Sequence, residues 1–163
     1  MASPANIQTN DGFLLNYKIE GTGLPTIVVG SSIYYPRTFS SDLHKKFRMI
    51  YLDHRGFGKA QKPFDHSAFE LKVLVDNIEL ARKQLGLNQI AIIGHSGHAF
   101  IALEYAKKYP DNVSHVILIA TSPNGSAETF AAADQYFAES VCPERKALYE
   151  KNMQQLPSDI AAN

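Results

Sequence analysis

Cysteine is almost missing from this chain. Cys142 is the only one in 163 residues, which excludes an intramolecular disulfide and fits a reducing compartment, so a cytoplasmic location is expected. An excess of one charge is missing too. Lys+Arg and Asp+Glu both total 16, giving a formal net charge of zero. No block of like charge occurs, and a nucleic-acid partner, which calls for a basic face, is not expected. No apolar run is long enough to span a bilayer, and Met1-Ala2-Ser3-Pro4 lacks the basic start and apolar stretch of a signal peptide. No internal repeat is present. No histidines and carboxylates fall at ligand spacing on one element, so neither a metal nor another cofactor is expected. Histidine is missing from the last part of the chain: none follows His115.

What is present is the material of a single globular core. Hydrophobic residues make up 45% and charged residues 20% of the chain, the balance of a globular domain with apolar elements to bury. Asn10-Asp11-Gly12 is a hairpin signal, followed by a strand at Phe13–Ile19. Short buried strands are predicted at Pro25–Val29, ending at Gly30, and at Phe47–Leu52, ending at Asp53, with a weak helix over 37–46 between them. Ser67 and Glu70 have capping-box spacing ahead of Leu71, Leu74, Val75, Ile78 and Leu85, which repeat with helical period. Gly86 stands where a helix C′ glycine belongs. A continuous apolar strand is predicted over 113–120. Alternating strands and helices with strands apolar on both sides imply a mostly parallel sheet with helices on both faces. After a polar loop at 121–126, residues 127–155 read as two helices broken near Cys142-Pro143.

Gly94-His95-Ser96-Gly97-His98 joins the apolar run Gln89–Ile93 to the helical run Ala99–Tyr109, which Pro110 closes. A serine on so tight a strand-to-helix turn exposes its hydroxyl beside the free N–H groups of a helix start, the geometry of a nucleophile elbow. The same residue is also an ordinary helix N-cap type. A serine hydroxyl needs a base, and the base an orienting acid.

On these residues the chain resembles the α/β-hydrolase family, in particular its proline-iminopeptidase and esterase-like branch, over about residues 7–125. The elbow carries the resemblance, together with Asp53-His54-Arg55-Gly56-Phe57-Gly58-Lys59-Ala60, similar to the family's Asp-x-Arg-Gly-x-Gly segment, and the lead-in Leu85-Gly86-Leu87-Asn88. The resemblance implies an α/β core, here incomplete, over 1–125 and the start of a helical cap over 126–163. It implies that Ser96 is the nucleophile of a small ester or amide substrate and that Gly97 N–H is one oxyanion donor. The family's second donor lies on a His-Gly-x segment after the third strand. Here that segment reads Gly30-Ser31-Ser32, which makes Ser32 the expected donor and Ile33 the runner-up, unless the segment is simply a turn.

The family also has a small residue where this chain has His98. That imidazole either points away from the tight turn or lines the pocket. His95 is expected to point to the other side of the strand end. Tyr34, Tyr35 and Phe57 either wall an apolar substrate pocket or belong to the core, and Asp53 and Arg55 are expected to be structural. The family's acid and histidine base lie downstream of the elbow. Thr121, Ser122, Pro123 and Asn124 supply no acid, and Glu128 and Asp134 fall in the cap-like helices. Among the upstream histidines His44, His54, His66, His95, His98 and His115, only His54 and His98 are candidate bases. The expectation is therefore a fragment or truncated hydrolase, completed by a missing C-terminal half or associating through strand 113–120. The alternatives are a non-catalytic ligand-binding protein of the same fold, or an acyltransferase.

Overall fold

The computed structural model describes residues 5–122 and 124–161. Expectations resting on Met1–Pro4 and on Pro123 lie outside the described residues. The chain divides into two compact units, Met1–Thr121 and Ser122–Asn163.

The first unit is built on β1 (Ala5–Gln8), β2 (Phe13–Glu20), β3 (Leu24–Gly30), β4 (Phe47–Asp53), β5 (Lys59–Ala60), β6 (Ile90–His95) and β7 (Val113–Ile119), with helices α1 (Leu71–Gln84) and α2 (His98–Lys108). The sheet order is β1-β2-β4-β3-β6-β7, with the short β5 paired to β2. The pairings β3–β4, β3–β6 and β6–β7 are parallel. β1–β2, β2–β4 and β2–β5 are antiparallel. β4 and β6 run parallel on either side of β3, so the chain must cross over between them, here through α1, and a tight turn cannot make that connection.

Side chains alternate across the sheet as the period of two demands. Ile27, Val29, Ile50, Leu52, Ile90 and Ile92 pack on one face with Val75, Ile78 and Ala81 of α1 and Ile101, Ala102 and Tyr105 of α2. Val28, Met49, Tyr51 and Ile93 point the other way and pack with Tyr35 and Phe39. Both faces of β3, β4 and β6 are therefore apolar, which explains why their sequences are nearly continuous hydrophobic runs.

Local signals hold in some places and not in others. Gly86 has φ +64°, and Gly86 N–H and Leu87 N–H donate to Lys83 O and Arg82 O, both at 3.0 Å. This is a Schellman closure of α1. The Ser67/Glu70 capping box does not form. Asp65 accepts from Ser67 N–H at 2.8 Å instead, holding Ser67 in a separate 3-10 turn over His66–Phe69. The helix expected over 37–46 is likewise two 3-10 turns, Tyr35–Arg37 and Ser41–Lys45. Proline at the start of the first and the Ser40 cap on the second divide the segment before an α-helical turn can propagate.

A buried network ties the helices together. Glu79 accepts from Arg82 Nη2 and Nε at 2.8 Å and from Tyr105 Oη at 2.9 Å. Arg82 Nη1 donates in turn to the carbonyls of Leu87 and Asn88 in the chain leading to β6. These bonds, above all that of Arg82, hold the Glu79 carboxyl down to about 2 against the opposing pull of burial. The second unit holds α3 (Ala127–Ser140), capped by Ser126, and α4 (Pro143–Ala161). The Phe137 and Tyr149 rings meet across these two helices at 5.0 Å.

Candidate active site

The turn from β6 to α2 forces Ser96 into the left-handed region, at φ +52°. A non-glycine residue there is uncommon and marks a turn held by its surroundings. Two contacts hold it. Ser96 N–H donates to Ile119 O at 3.0 Å, and Ser96 O accepts from Ala99 N–H at 3.0 Å. Gly94 makes the turn possible, because a Cβ there would fall 2.5 Å from Ala99 Cα and 2.6 Å from His98 O. Ser96 and Gly97 are both exposed. Among the described residues no hydrogen bond engages Gly97 N–H or Ser96 Oγ.

The expected second oxyanion donor is already engaged. Ser32 N–H donates to Asp53 Oδ1 at 2.6 Å, and the runner-up, Ile33 N–H, donates to Ser31 Oγ at 3.2 Å. The reason lies in the sheet register: Gly30 pairs with Asp53, so the carboxylate leaves its strand beside the 31–33 turn. A carboxylate as buried as Asp53 requires donors, and it takes Ser32 N–H and, at 3.2 Å, Asn16 Nδ2. Arg55 is also structural, as expected. It is buried, forks onto Asp11 at 2.5 and 2.9 Å, donates to Asn77 Oδ1 at 2.6 Å and lies 4.5 Å above the Phe13 ring. That bond holds the Asp11 carboxyl below its ordinary value.

His98 does not point away. Its Nδ1 is 2.9 Å from Tyr35 Oη and its Nε2 is 3.0 Å from His54 Nε2. His54 Nδ1 accepts from Gly56 N–H at 2.9 Å. Tyr35 Oη also approaches His95 Nδ1 at 3.3 Å. Burial holds the His54 and His98 rings below the usual imidazole range. Asp53 opposes this at His54, and the neighbouring imidazoles reinforce it at His98. Burial likewise raises the Tyr35 phenol. Gly30 leaves the room: a Cβ there would collide with the Tyr35 ring and stand 3.0 Å from the His98 imidazole. The Tyr35 and His98 rings thus meet over a strand end that carries no side chain of its own.

A cavity of about 220 Å³ adjoins the elbow, lined by Tyr34, Tyr35, Thr38, Phe39, His95 and Ile119. His95, expected on the far side, lines it, as do Tyr34 and Tyr35. Ser96 is not among the residues that line it. Tyr35 is also a core residue, and Phe57 is exposed with its ring 4.7 Å from His54. Of the remaining histidines, His44 is engaged with Tyr51 Oη at 3.1 Å and Glu20 at 3.4 Å, while His66 and His115 are exposed. Among the described residues no histidine is hydrogen-bonded to Ser96.

A mixed sheet with parallel central strands, an αL serine between strand and helix, and a buried Asp-x-Arg-Gly tie are the marks of one class of protein. The family profile described as "alpha/beta hydrolase fold" matches residues 22–153, and the chain belongs to that family. It is 44% identical over 156 residues, 96% of this chain and 56% of the relative, to "AB hydrolase superfamily protein YclE" of Bacillus subtilis. It is 41% identical over 91 residues, 54% of this chain and 26% of the relative, to "1-acylglycerol-3-phosphate O-acyltransferase ABHD5" of Sus scrofa. A carboxylesterase structure from Nitrososphaera gargenis shares the fold, with a TM-score of 0.64 at 19% identity over 83% of this chain and 54% of that one. The chain spans about half the length, or less, of these curated relatives. No helix among the described residues is long and apolar enough to cross a membrane.

Proposed function

We propose that this chain carries the nucleophile of a serine hydrolase acting on small uncharged esters. The observation that carries the reading is Ser96 at φ +52°, exposed, with the open Gly97 N–H beside it. In the reaction Ser96 Oγ bonds to the ester carbonyl carbon and its proton passes to a base. The carbonyl oxygen takes up the negative charge, facing Gly97 N–H. The carbon–alkoxide bond then breaks, the alcohol leaves with a proton, and water hydrolyses the acyl-Ser96 ester. Acceptance of the acyl group by an alcohol instead of water would make the same site an acyltransferase. An ester fits better than the amino-terminal peptide a proline-iminopeptidase-like enzyme would take, because among the described residues no carboxylate lines the cavity beside the elbow to receive an ammonium group. The single cysteine, exposed and free, supports a reducing, cytoplasmic setting.

The base and its acid are assigned to polypeptide outside these 163 residues, since no histidine among the described residues engages Ser96. That same observation favours a second reading, a ligand-binding protein without turnover. A fluorophosphonate separates the two. It is expected to label Ser96, and the S96A variant should stay unlabelled. Turnover of p-nitrophenyl acetate by the chain alone should lie close to that of S96A, because without its triad partners a serine site retains only the residual catalysis of the hole and binding. Absence of labelling would favour the binding protein. Robust Ser96-dependent turnover would place the base within the chain, and H54A and H98A would then locate it.

A further inference from the structure

Three imidazoles and a phenol lie in a row beside the elbow, and their protons can be assigned from one end. Gly56 N–H donates to His54 Nδ1, so that nitrogen carries no proton and the neutral ring carries its proton on Nε2. His54 Nε2–H faces His98 Nε2 at 3.0 Å, which must accept, leaving the His98 proton on Nδ1. His98 Nδ1–H donates to Tyr35 Oη at 2.9 Å. The phenol proton is then free to go to His95 Nδ1 at 3.3 Å, and His95 carries its own proton on Nε2. A backbone amide thus sets the direction of four successive hydrogen bonds. Reversal at the His54–His98 or His98–Tyr35 link would put two N–H groups face to face, and reversal at His95 would leave the phenol proton without an acceptor among the described residues. The same logic rules out a metal ion between the two Nε2 atoms, because His54 Nε2 is protonated.

His95 ends the chain and lines the cavity. Among the described residues its Nε2 has no partner. The other walls are the rings of Tyr34, Tyr35 and Phe39, with Ile119 and Thr38. Thr38 Oγ1 spends its proton on Tyr35 O at 3.0 Å. The cavity is therefore apolar and aromatic, with a fixed imidazole N–H donor on its wall. We infer that it binds an uncharged aromatic acyl group whose carbonyl oxygen accepts from His95 Nε2–H, the His54–His98–Tyr35 chain serving to fix that donor. The volume fits: an apolar cavity of ~150 Å³ holds a benzene ring, and this one, at about 220 Å³, leaves room for a carbonyl substituent. A cation gains from the ring faces but meets the positive end of the imidazole N–H, which selects against it. This assignment rests on the hydrolase reading for its acyl substrate, and it gives His95 a specificity role without making it a base.

The test is binding, read on S96A so that turnover plays no part. Long-range proton–nitrogen imidazole spectra at pH 8 should show Nε2–H for His54 and His95 and Nδ1–H for His98. Methyl benzoate should shift the His95 Nε2 signal and bind roughly threefold to tenfold more tightly than toluene, the ratio one neutral hydrogen bond supplies. Benzylammonium should bind more weakly than methyl benzoate. H95A should erase the preference for methyl benzoate over toluene. Y35F should keep the fold, shown by its unfolding midpoint, while the His95 and His98 tautomers become mixed. An Nε2–H tautomer at His98, a preference for benzylammonium, or an unchanged preference in H95A would overturn the inference. Failure of fluorophosphonate labelling with these binding results intact would overturn the hydrolase reading instead.

Discussion

β6 and β7 are parallel neighbours of similar apolar content, and they live in different surroundings. Ile90 and Ile92 of β6 are 0% exposed, whereas Val116 and Leu118 of β7 are 39% and 43% exposed. β6 has β3 on one side and β7 on the other; β7 ends the sheet. The strands differ in what stands beside them far more than in composition. An apolar strand records the neighbours it is suited to, and its sequence does not say which of them a given chain supplies. β7 also lacks the lysine, proline or inward charge that usually blunts an edge.

Truncating the two strands should expose the contrast most strongly. Ile92→Ala should cost about 2–5 kcal/mol, the usual range for a large residue cut down in a closed core. Leu118→Ala should cost less than about 1 kcal/mol, because much of that side chain already meets water. Urea unfolding of both variants measures the difference, and equal costs would mean that β7 is covered in solution.

Acid should act on the β6 side of the molecule. Glu79 braces α1, α2 and the chain entering β6, with its carboxyl lowered to about 2 from 4.5. A carboxyl depressed by folding stabilises the native state above its unfolded value. That stabilisation is lost as pH falls through the folded one, so the window runs from about 4.5 down to about 2. The loss should be on the order of 3 kcal/mol. Urea midpoints between pH 6 and pH 2 should show it in the native chain and not in Glu79→Gln, and a parallel decline in both would assign acid sensitivity elsewhere.

The smallest effect concerns association. We propose that β7 pairs with a companion strand, from a second copy or from polypeptide that completes the sheet. Leu118→Lys should weaken self-association of the chain by about tenfold, as a charge on an open edge does. Light scattering over a dilution series checks this. A wild-type chain that stays monomeric at every concentration would exclude a second copy as the companion.

The strands, α1, α2 and the elbow were legible because their signals are local. Alternation, a C′ glycine and a serine between strand and helix each act within a few residues. The fate of Ser32 was not legible, since its amide is claimed by Asp53, 21 residues away. Nor was the His54–His98–Tyr35 chain, whose members are 44 and 63 positions apart. Register and strand order bring these groups together, and neither can be read from a short motif. The capping box failed for a related reason: the pattern fitted, but Asp65, two residues earlier, was the stronger competitor for Ser67 N–H.

The space above Gly30 has a consequence for how this sequence can change. His98 and Tyr35 occupy the volume that a side chain at position 30 would need. A side chain cannot be placed at 30 while the Tyr35 ring holds its position, and a smaller residue at 98 alone would not relieve that collision. Position 30 is thus held to glycine by a ring that enters from another segment of the chain, and the space at the strand end is set by Tyr35 before any neighbour on the helix is considered.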